Sequence, residues 1–210
     1  LHAVYRFHQD VVPLDQVVRE VHSLEEGGTL GVLLGCHALE RGFHVTLFTY
    51  NLRVFDPTWF RMSRDQLMDR LLKRIHVKEG KKLRMASEAY FRFLSLGGSL
   101  RMEDLSPGLI RRYLDQGQPI LTGLSATYLY QAPRELGPAD DDIRGDAQGH
   151  FVVLAGYEER QDQVLVADPL GGTPWVPSSH YPVGMDRLIT AILLGVLTYD
   201  ANLLVVEAGS

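Results

Sequence analysis

Apolar residues in the first half of the chain recur at helical spacing. Behind Pro13, for example, Leu14, Val17 and Val21 are three or four residues apart and would share one helix face. The same pattern predicts helices over about 13–24, 30–39, 63–75, 86–96 and 106–117. Turns or loops are predicted over 25–29 and 78–82, and short stretches over 4–7 and 45–50 predict strands.

The pattern changes at Pro119. Short apolar runs bounded by turn residues follow at 120–124, 151–157, 164–167 and 203–206, which is typical of buried strands. Helices first and strands later indicate an α+β fold. A long polar stretch, 131–148, separates the first two of these strands, and so long a loop within a compact domain is usually functional or mobile.

A histidine and an aspartate stand at the ends of two neighbouring predicted strands. Gly149 and His150 open one strand, Asp168 follows the next, and the polar turn between them predicts a hairpin centred near residue 160. Asp168 is then a diagonal neighbour of His150, about 7 to 8 Å away at the backbone. Two short side chains can meet over that distance. We therefore predict that Asp168 orients the His150 imidazole and stabilises its cationic form, as a general base requires.

The order of these features resembles the C39 and C39-like cysteine peptidases, a papain-like family. The resemblance rests on Gly149-His150 at the start of an apolar strand, on Asp168-Pro169 after the next strand, and on the helices that precede both. It implies a papain-like α+β fold in which N-terminal helices pack on a C-terminal antiparallel sheet, as a single domain over 1–210. It also implies action on a peptide or amide bond, with His150 as the base and Asp168 as the orienting residue.

The family's nucleophile is a cysteine at the start of a buried helix, preceded by a glutamine that helps to form the oxyanion hole. The corresponding helix here follows Gly28 and ends at Gly42. Thr29 stands where the family has its cysteine, and no glutamine lies shortly upstream. The resemblance is therefore specific around the histidine and the aspartate, and the chain departs from it at the nucleophile.

The departure at the nucleophile leaves three possibilities: Cys36 attacks, Thr29 attacks, or the chain has no nucleophile. Cys36 is the only thiol, but it lies about 10 Å along the helix from Thr29, away from the N-terminal amides that would lower its pKa. Thr29 is at the helix start, where free N–H groups could bind an oxyanion, although an internal threonine hydroxyl needs a strong base. The third possibility is an inactive pseudopeptidase that binds a peptide or a partner protein.

Four positions are candidates for binding the substrate. Ser125 and Thr127 follow the 120–124 strand, in a segment that borders the groove near the histidine in a papain-like layout. Gly28 and Gly149 directly precede Thr29 and His150.

Composition narrows the choice of partners and cofactors. The formal net charge of -5 gives no basic field, so we expect no nucleic acid or anionic membrane partner. We expect a peptide or protein substrate, or a partner protein. One cysteine allows neither a disulfide within the chain nor a multi-cysteine zinc site, and the histidines lack paired metal-ligand spacing, so we expect no cofactor and no metal.

No apolar run approaches the roughly 20 residues of a membrane span. The single cysteine agrees with a reducing compartment, so we expect a cytoplasmic location. Because the chain begins at Leu1 and shows no leader, we also expect it to be a domain excised from a longer protein.

Overall fold

The structure, a computed structural model, describes residues 1–22, 28–77 and 80–209. The chain divides into two compact units. Unit 1 comprises Leu1–Glu103 and the chain from Leu204 onward, and unit 2 comprises Asp104–Leu203. The single domain expected over 1–210 stays a prediction. The turn predicted over 25–29 and the loop predicted over 78–82 lie partly outside the described residues.

Unit 1 is built mainly from helices. Its elements in chain order are α1 (His2–Phe7), α2 (Leu14–Glu20), α3 (Gly31–Glu40), β1 (His44–Thr49), a 3₁₀ helix (Pro57–Arg61), α4 (Arg64–Val77), α5 (Lys81–Ser95) and β2 (Ser99–Arg101). The strands β1 and β2 pair in parallel. The fully buried Phe93 lies against Gly35 and Gly98, where added Cβ atoms would be 2.9 and 2.4 Å from its ring. These two glycines let α3 and the turn after α5 approach the aromatic core closely.

The N-terminal segment is helical, so the strand predicted over 4–7 is wrong. Val4 and Tyr5 are adjacent in sequence and both are buried, whereas a strand with one buried face would expose one of them. The hydroxyl oxygen of Tyr5 lies 2.6 Å from Nδ1 of His37, which fixes α1 to α3. A four-residue alternation is too short to distinguish a strand from one turn of buried helix.

The other helix predictions for unit 1 hold at their centres. The predicted capping box is present, because the N–H of Ser63 donates to Oε1 of Gln66 at 3.0 Å and the N–H of Gln66 donates to Oγ of Ser63 at 3.3 Å. Gly42 has a φ of +86° and ends α3 in the left-handed conformation that glycine favours. Helix α5 starts at Lys81, earlier than the sequence pattern indicates.

Unit 2 contains most of the strands. Its elements are α6 (Pro107–Leu114), β3 (Ile120–Ser125), α7 (Ala126–Tyr130), β4 (Glu135–Leu136), β5 (Ala139–Asp140), β6 (Gly149–Glu158), β7 (Gln163–Ala167), β8 (His180–Gly184), α8 (Met185–Leu194) and a 3₁₀ helix (Gly195–Thr198), and β9 (Asn202–Glu207) follows. Within the unit, β3, β6, β7 and β8 are neighbours in that order, and each pair is antiparallel. The stretch predicted as a long loop carries the small hairpin of β4 and β5.

The hairpin of β6 and β7 has the predicted register. Val153 pairs with Ala167 and Leu154 pairs with Val166, and a bulge after Leu154 shifts the pairing by one residue toward the turn. The α+β fold class is confirmed, and the arrangement is compatible with a papain-like fold.

Candidate active site

The His150 and Asp168 side chains meet at one end of the antiparallel sheet of unit 2. His150 is the second residue of β6, opposite Leu124 of β3, and Asp168 directly follows β7. Nε2 of His150 lies 3.0 Å from Oδ1 of Asp168. The Asp168 side chain is fully buried, while that of His150 is 18% exposed. The carboxylate is thus enclosed by protein, and the imidazole reaches toward solvent.

Asp168 accepts four hydrogen bonds. Besides His150, the N–H of Leu170 donates to Oδ1 at 2.9 Å. The hydroxyls of Tyr130 and Tyr181 donate to Oδ2 at 2.5 and 2.6 Å. Burial by itself would raise the pKa of the Asp168 carboxyl, but these hydrogen bonds outweigh burial and hold that pKa well below its usual range. Asp168 is therefore ionised at neutral pH.

The pKa values of the two tyrosines are shifted upward, opposite to the shift of Asp168. Burial is the largest cause that raises the pKa values of Tyr130 and Tyr181, and donation of both hydroxyl protons to the Asp168 carboxylate raises them further. Both phenols remain protonated and act as donors at any physiological pH.

The tautomer of His150 follows from its partner. An ionised Asp168 accepts only, so Nε2 of His150 must carry a proton in order to bond to it. In the neutral ring, Nδ1 is then the basic nitrogen, and it has no hydrogen-bond partner within the part of the chain that the structure describes. An imidazole in this state can accept a proton at Nδ1 while Asp168 stabilises the resulting cation.

Helix α7 brings Tyr130 to this site. Tyr130 is not among the site residues predicted from the sequence. The segment after β3 contains Ser125 and Thr127, and its short polar residues suggest a turn. In the structure, Oγ of Ser125 accepts from the N–H of Tyr128 at 3.3 Å and caps a helix of five residues. Gln131 ends that helix with a φ of +54°. The serine three residues before an aromatic residue is the one sequence signal for this turn.

The candidate substrate-binding residues of unit 2 have structural partners of their own. Besides the cap at Ser125, Oγ1 of Thr127 accepts from the N–H of Gln148 at 2.9 Å. Gly149 pairs with Ser125 across β3 and β6. A Cβ added at Gly149 would lie 2.5 Å from Oγ1 of Thr198, so packing alone demands glycine there. These contacts account for all three residue types, and a role in substrate binding stays a prediction.

The other candidate residues belong to unit 1. Gly28 is exposed and has a φ of +76°, a conformation that glycine favours. Thr29 is partly exposed and donates its hydroxyl proton to the carbonyl of His22 at 2.9 Å. The residue that caps α3 is Leu30, and no side chain caps the helix there. Thr29 therefore stands one residue ahead of the cap and two residues ahead of Gly31, the first residue of α3.

Cys36 lies in the interior of α3. Cys36 is 2% exposed, and its S–H donates to the carbonyl of Ala89 at 3.7 Å. Burial raises the pKa of the thiol to about 12. These surroundings favour a neutral thiol packed as a small apolar group, and they do not support a nucleophilic thiolate.

A comparison with family models connects unit 2 with a known family. The model described as the Peptidase_C39 like family matches residues 106–181. This segment lies within unit 2, covers a little over a third of the chain, and contains Tyr130, His150, Asp168 and Tyr181. The predicted resemblance to the C39-like peptidases is confirmed over this segment, and the match supports a peptidase-type domain there. Thr29 and Cys36 lie outside the matched residues.

The remaining findings concern known proteins, metal sites and membrane-spanning helices. Neither the curated proteins nor the solved structures give a significant match. Among the described residues, no cluster of three or more His, Cys, Asp or Glu side chains could hold a metal ion. Within the same residues, every helix is too short or too polar to cross a membrane.

Proposed function

We propose that this chain carries a C39-like, peptidase-type site that acts on a peptide or amide bond, with His150 as the general base and Asp168 as the residue that orients it. One observation carries the proposal: Nε2 of His150 is bonded at 3.0 Å to a buried carboxylate that three further donors hold in its ionised state. Support also comes from the C39-like match, which contains both residues.

The proposed chemistry is a proton relay through the imidazole. Nδ1 of His150 takes the proton of the attacking group as that group adds to the carbonyl carbon. Nε2–H stays bonded to Asp168, so the imidazolium is stabilised by a full negative charge. When the carbon–nitrogen bond breaks, Nδ1 returns the proton to the departing amine, and the acyl group stays on the attacking residue. Water then adds to that acyl group and gives a proton to Nδ1, and the attacking residue takes this proton back as the carboxylic acid leaves. Asp168 accepts hydrogen bonds throughout and does not itself take up the proton.

The identity of the attacking group is part of the proposal. Cys36 fits that role poorly because it is buried and its pKa is raised to about 12. Thr29 stays a candidate because its hydroxyl is partly exposed. Its hydroxyl proton is donated to the carbonyl of His22 at 2.9 Å, so that hydrogen bond must break before a base can take the proton.

A second candidate function is binding of a peptide without cleavage. The burial of Cys36, the only cysteine of the chain, favours it. In that case His150 and Asp168 would serve as hydrogen-bonding groups for the ligand, and the site would hold a peptide or present it to a partner protein.

Peptide turnover by the full chain separates the two functions. We expect the wild-type protein to cleave members of a mixed peptide pool, as detected by mass spectrometry. His150→Ala should lower the rate by about 100-fold or more, which is the usual contribution of a general base. His180→Ala is the matched control, because His180 is an exposed histidine of the same sheet, and Cys36→Ser tests the buried thiol.

Each outcome assigns the function. Cleavage that depends on His150 but not on His180 or Cys36 supports the hydrolase. Saturable peptide binding without cleavage, weakened by His150→Ala, assigns the binding function instead. Cleavage that His150→Ala leaves unchanged, or a pool that is neither cut nor bound, would falsify both.

A further inference from the structure

Asp168 is held from two directions by a pair of phenols. Tyr130 is the last residue of α7, and Tyr181 is the second residue of β8. Their hydroxyls converge on one atom, Oδ2 of Asp168, at 2.5 and 2.6 Å. Oδ1 receives the other two donors, His150 and the N–H of Leu170. Each carboxylate oxygen thus has two donors.

This division fixes the rotation of the carboxylate. The Asp168 side chain has no exposed surface, so the charge it carries must be stabilised by protein donors. Hydrogen bonds to an ionised group are short and strong, and the two phenol contacts have the lengths expected for O–H···O⁻ bonds. A turn of the carboxylate that took Oδ1 away from His150 would break the tyrosine contacts at the same time.

We propose that Tyr130 and Tyr181 are positioning residues of this site, which keep Asp168 ionised and hold its Oδ1 against Nε2 of His150. The inference rests on the proposed function for its catalytic meaning, although the state of Asp168 can be measured without any substrate. In this proposal both tyrosines act through Asp168 and then through His150, and the Tyr130 ring also lies beside the imidazole, with the ring centroids 6.3 Å apart. The order of action is phenols, carboxylate, imidazole, substrate.

A purely structural role for the tyrosines makes a different prediction. If they only tied α7 and β8 together, their hydroxyls could be removed at some loss of stability while Asp168 kept its charge. As positioning residues they do more, because the hydrogen bonds from His150, Tyr130 and Tyr181 together depress the pKa of Asp168 against the effect of burial. Loss of two of these three leaves burial less opposed, so the pKa must rise.

The test is the ionisation of Asp168 in Tyr130→Phe, Tyr181→Phe and the double variant. In the wild-type chain labelled with ¹³C-aspartate, we expect the Asp168 carboxyl resonance to show no protonation step between about pH 8 and pH 3, since hydrogen bonds hold its pKa well below the ordinary value near 3.9. In the double variant we expect it to titrate within that range. Tyr128→Phe is the matched control, because Tyr128 lies on the same helix and is not among the four donors to Asp168.

Turnover provides the second measurement. We expect each single variant to lower kcat by about 10-fold with KM unchanged, which corresponds to one hydrogen bond to a charged group. The loss should be greatest at acid pH, where Asp168 of the variants becomes neutral. The single variants keep the test valid if the double variant fails to fold.

The two proposals fail in different ways. An Asp168 resonance that titrates in the phenylalanine variants supports the positioning role even if no peptide is cleaved. A resonance that stays constant in both folded single variants and in the double variant overturns it, whether or not the chain hydrolyses peptides. Equal effects of Tyr128→Phe on the resonance would also overturn it.

Discussion

A buried carboxylate stays charged only where protein groups replace the water it has lost. Asp168 is such a group, because burial is the largest influence on its pKa and acts to raise it, yet the pKa is lowered. Four donors on two oxygens are the reason. Cys36 shows the alternative, since burial is the largest influence on its pKa and raises it, and its S–H donates to a carbonyl oxygen, which cannot stabilise a thiolate. The same chain thus keeps one buried acid ionised and another neutral.

The state of Cys36 leads to a prediction about its reactivity. The thiolate is the species that reacts with iodoacetamide, and a pKa of about 12 leaves on the order of one thiolate in 10⁴ at pH 8. We expect native Cys36 to be alkylated at least about 1000-fold more slowly than in urea, where the pKa returns to about 8.5. As long as the pH is below that pKa, the alkylation rate of the native protein should increase about tenfold for each unit by which the pH is raised. Mass spectrometry of the labelled peptide measures this rate.

His150→Ala is the informative companion variant for this measurement. A buried thiol that takes no part in the site should be alkylated at the same slow rate with or without the imidazole. Fast labelling of Cys36 at pH 7 that disappears in His150→Ala would contradict this prediction and make Cys36 the attacking group.

At the scale of elements, the start of β6 is held in place by close packing. Gly149 precedes His150, and a Cβ at Gly149 would lie 2.5 Å from Oγ1 of Thr198 and 3.0 Å from Oδ2 of Asp200. The first distance is shorter than van der Waals contact, so a larger residue must displace either the strand or the segment that follows α8.

We therefore predict that Gly149→Ala destabilises the fold and disturbs the site. The free energy of unfolding should fall by about 1 to 3 kcal/mol, as is usual for overpacking, and urea unfolding followed by circular dichroism measures it. Gly184→Ala is the matched control, because Gly184 has a φ of -59° and no atoms within 4 Å of an added Cβ. Equal stability of the two variants would show that the packing at Thr198 yields easily.

How much of the site the sequence could predict depends on the element that carries each residue. His150 and Asp168 lie on a regular hairpin, where strand periodicity and turn position determine which side chains meet. Tyr130 and Tyr181 reach Asp168 from α7 and β8, elements far from the hairpin turn in sequence. Their convergence depends on tertiary packing, which no local pattern encodes. The single-turn α7 also lacks the length at which helical periodicity becomes visible.

The strand prediction for the N-terminal segment, 4–7, was wrong for a related reason. Its buried Tyr5 is placed by a contact with His37, more than thirty residues away, so local alternation carried no information about it. By contrast, the capping box at Ser63 and Gln66 is wholly local, and the structure has it as predicted. Local hydrogen bonding could be predicted from the sequence; long-range side-chain contacts could not.

At the scale of the whole molecule, unit 1 is discontinuous in sequence. The chain leaves it at Glu103 and returns at Leu204, so the boundary falls inside strand β9. Leu204, Val205 and Val206 are fully buried, and Nε2 of His8 lies 2.7 Å from the carbonyl oxygen of Val206. The hydrophobic core of unit 1 therefore needs residues that are synthesised after all of unit 2.

This connection leads us to predict that the chain unfolds in a single transition. Each unit has one tryptophan, Trp59 in unit 1 and Trp175 in unit 2. Trp175→Phe leaves fluorescence that reports on unit 1 alone, and Trp59→Phe leaves fluorescence that reports on unit 2 alone. Because β9 contains residues of both units, unfolding of either unit disrupts a strand that the other shares, and the two urea curves should have the same midpoint and slope.

Circular dichroism of both variants controls for any stability change caused by the substitutions. Midpoints that differ between fluorescence and circular dichroism within one variant would mean that the units unfold separately, and the single domain predicted over 1–210 would then be wrong.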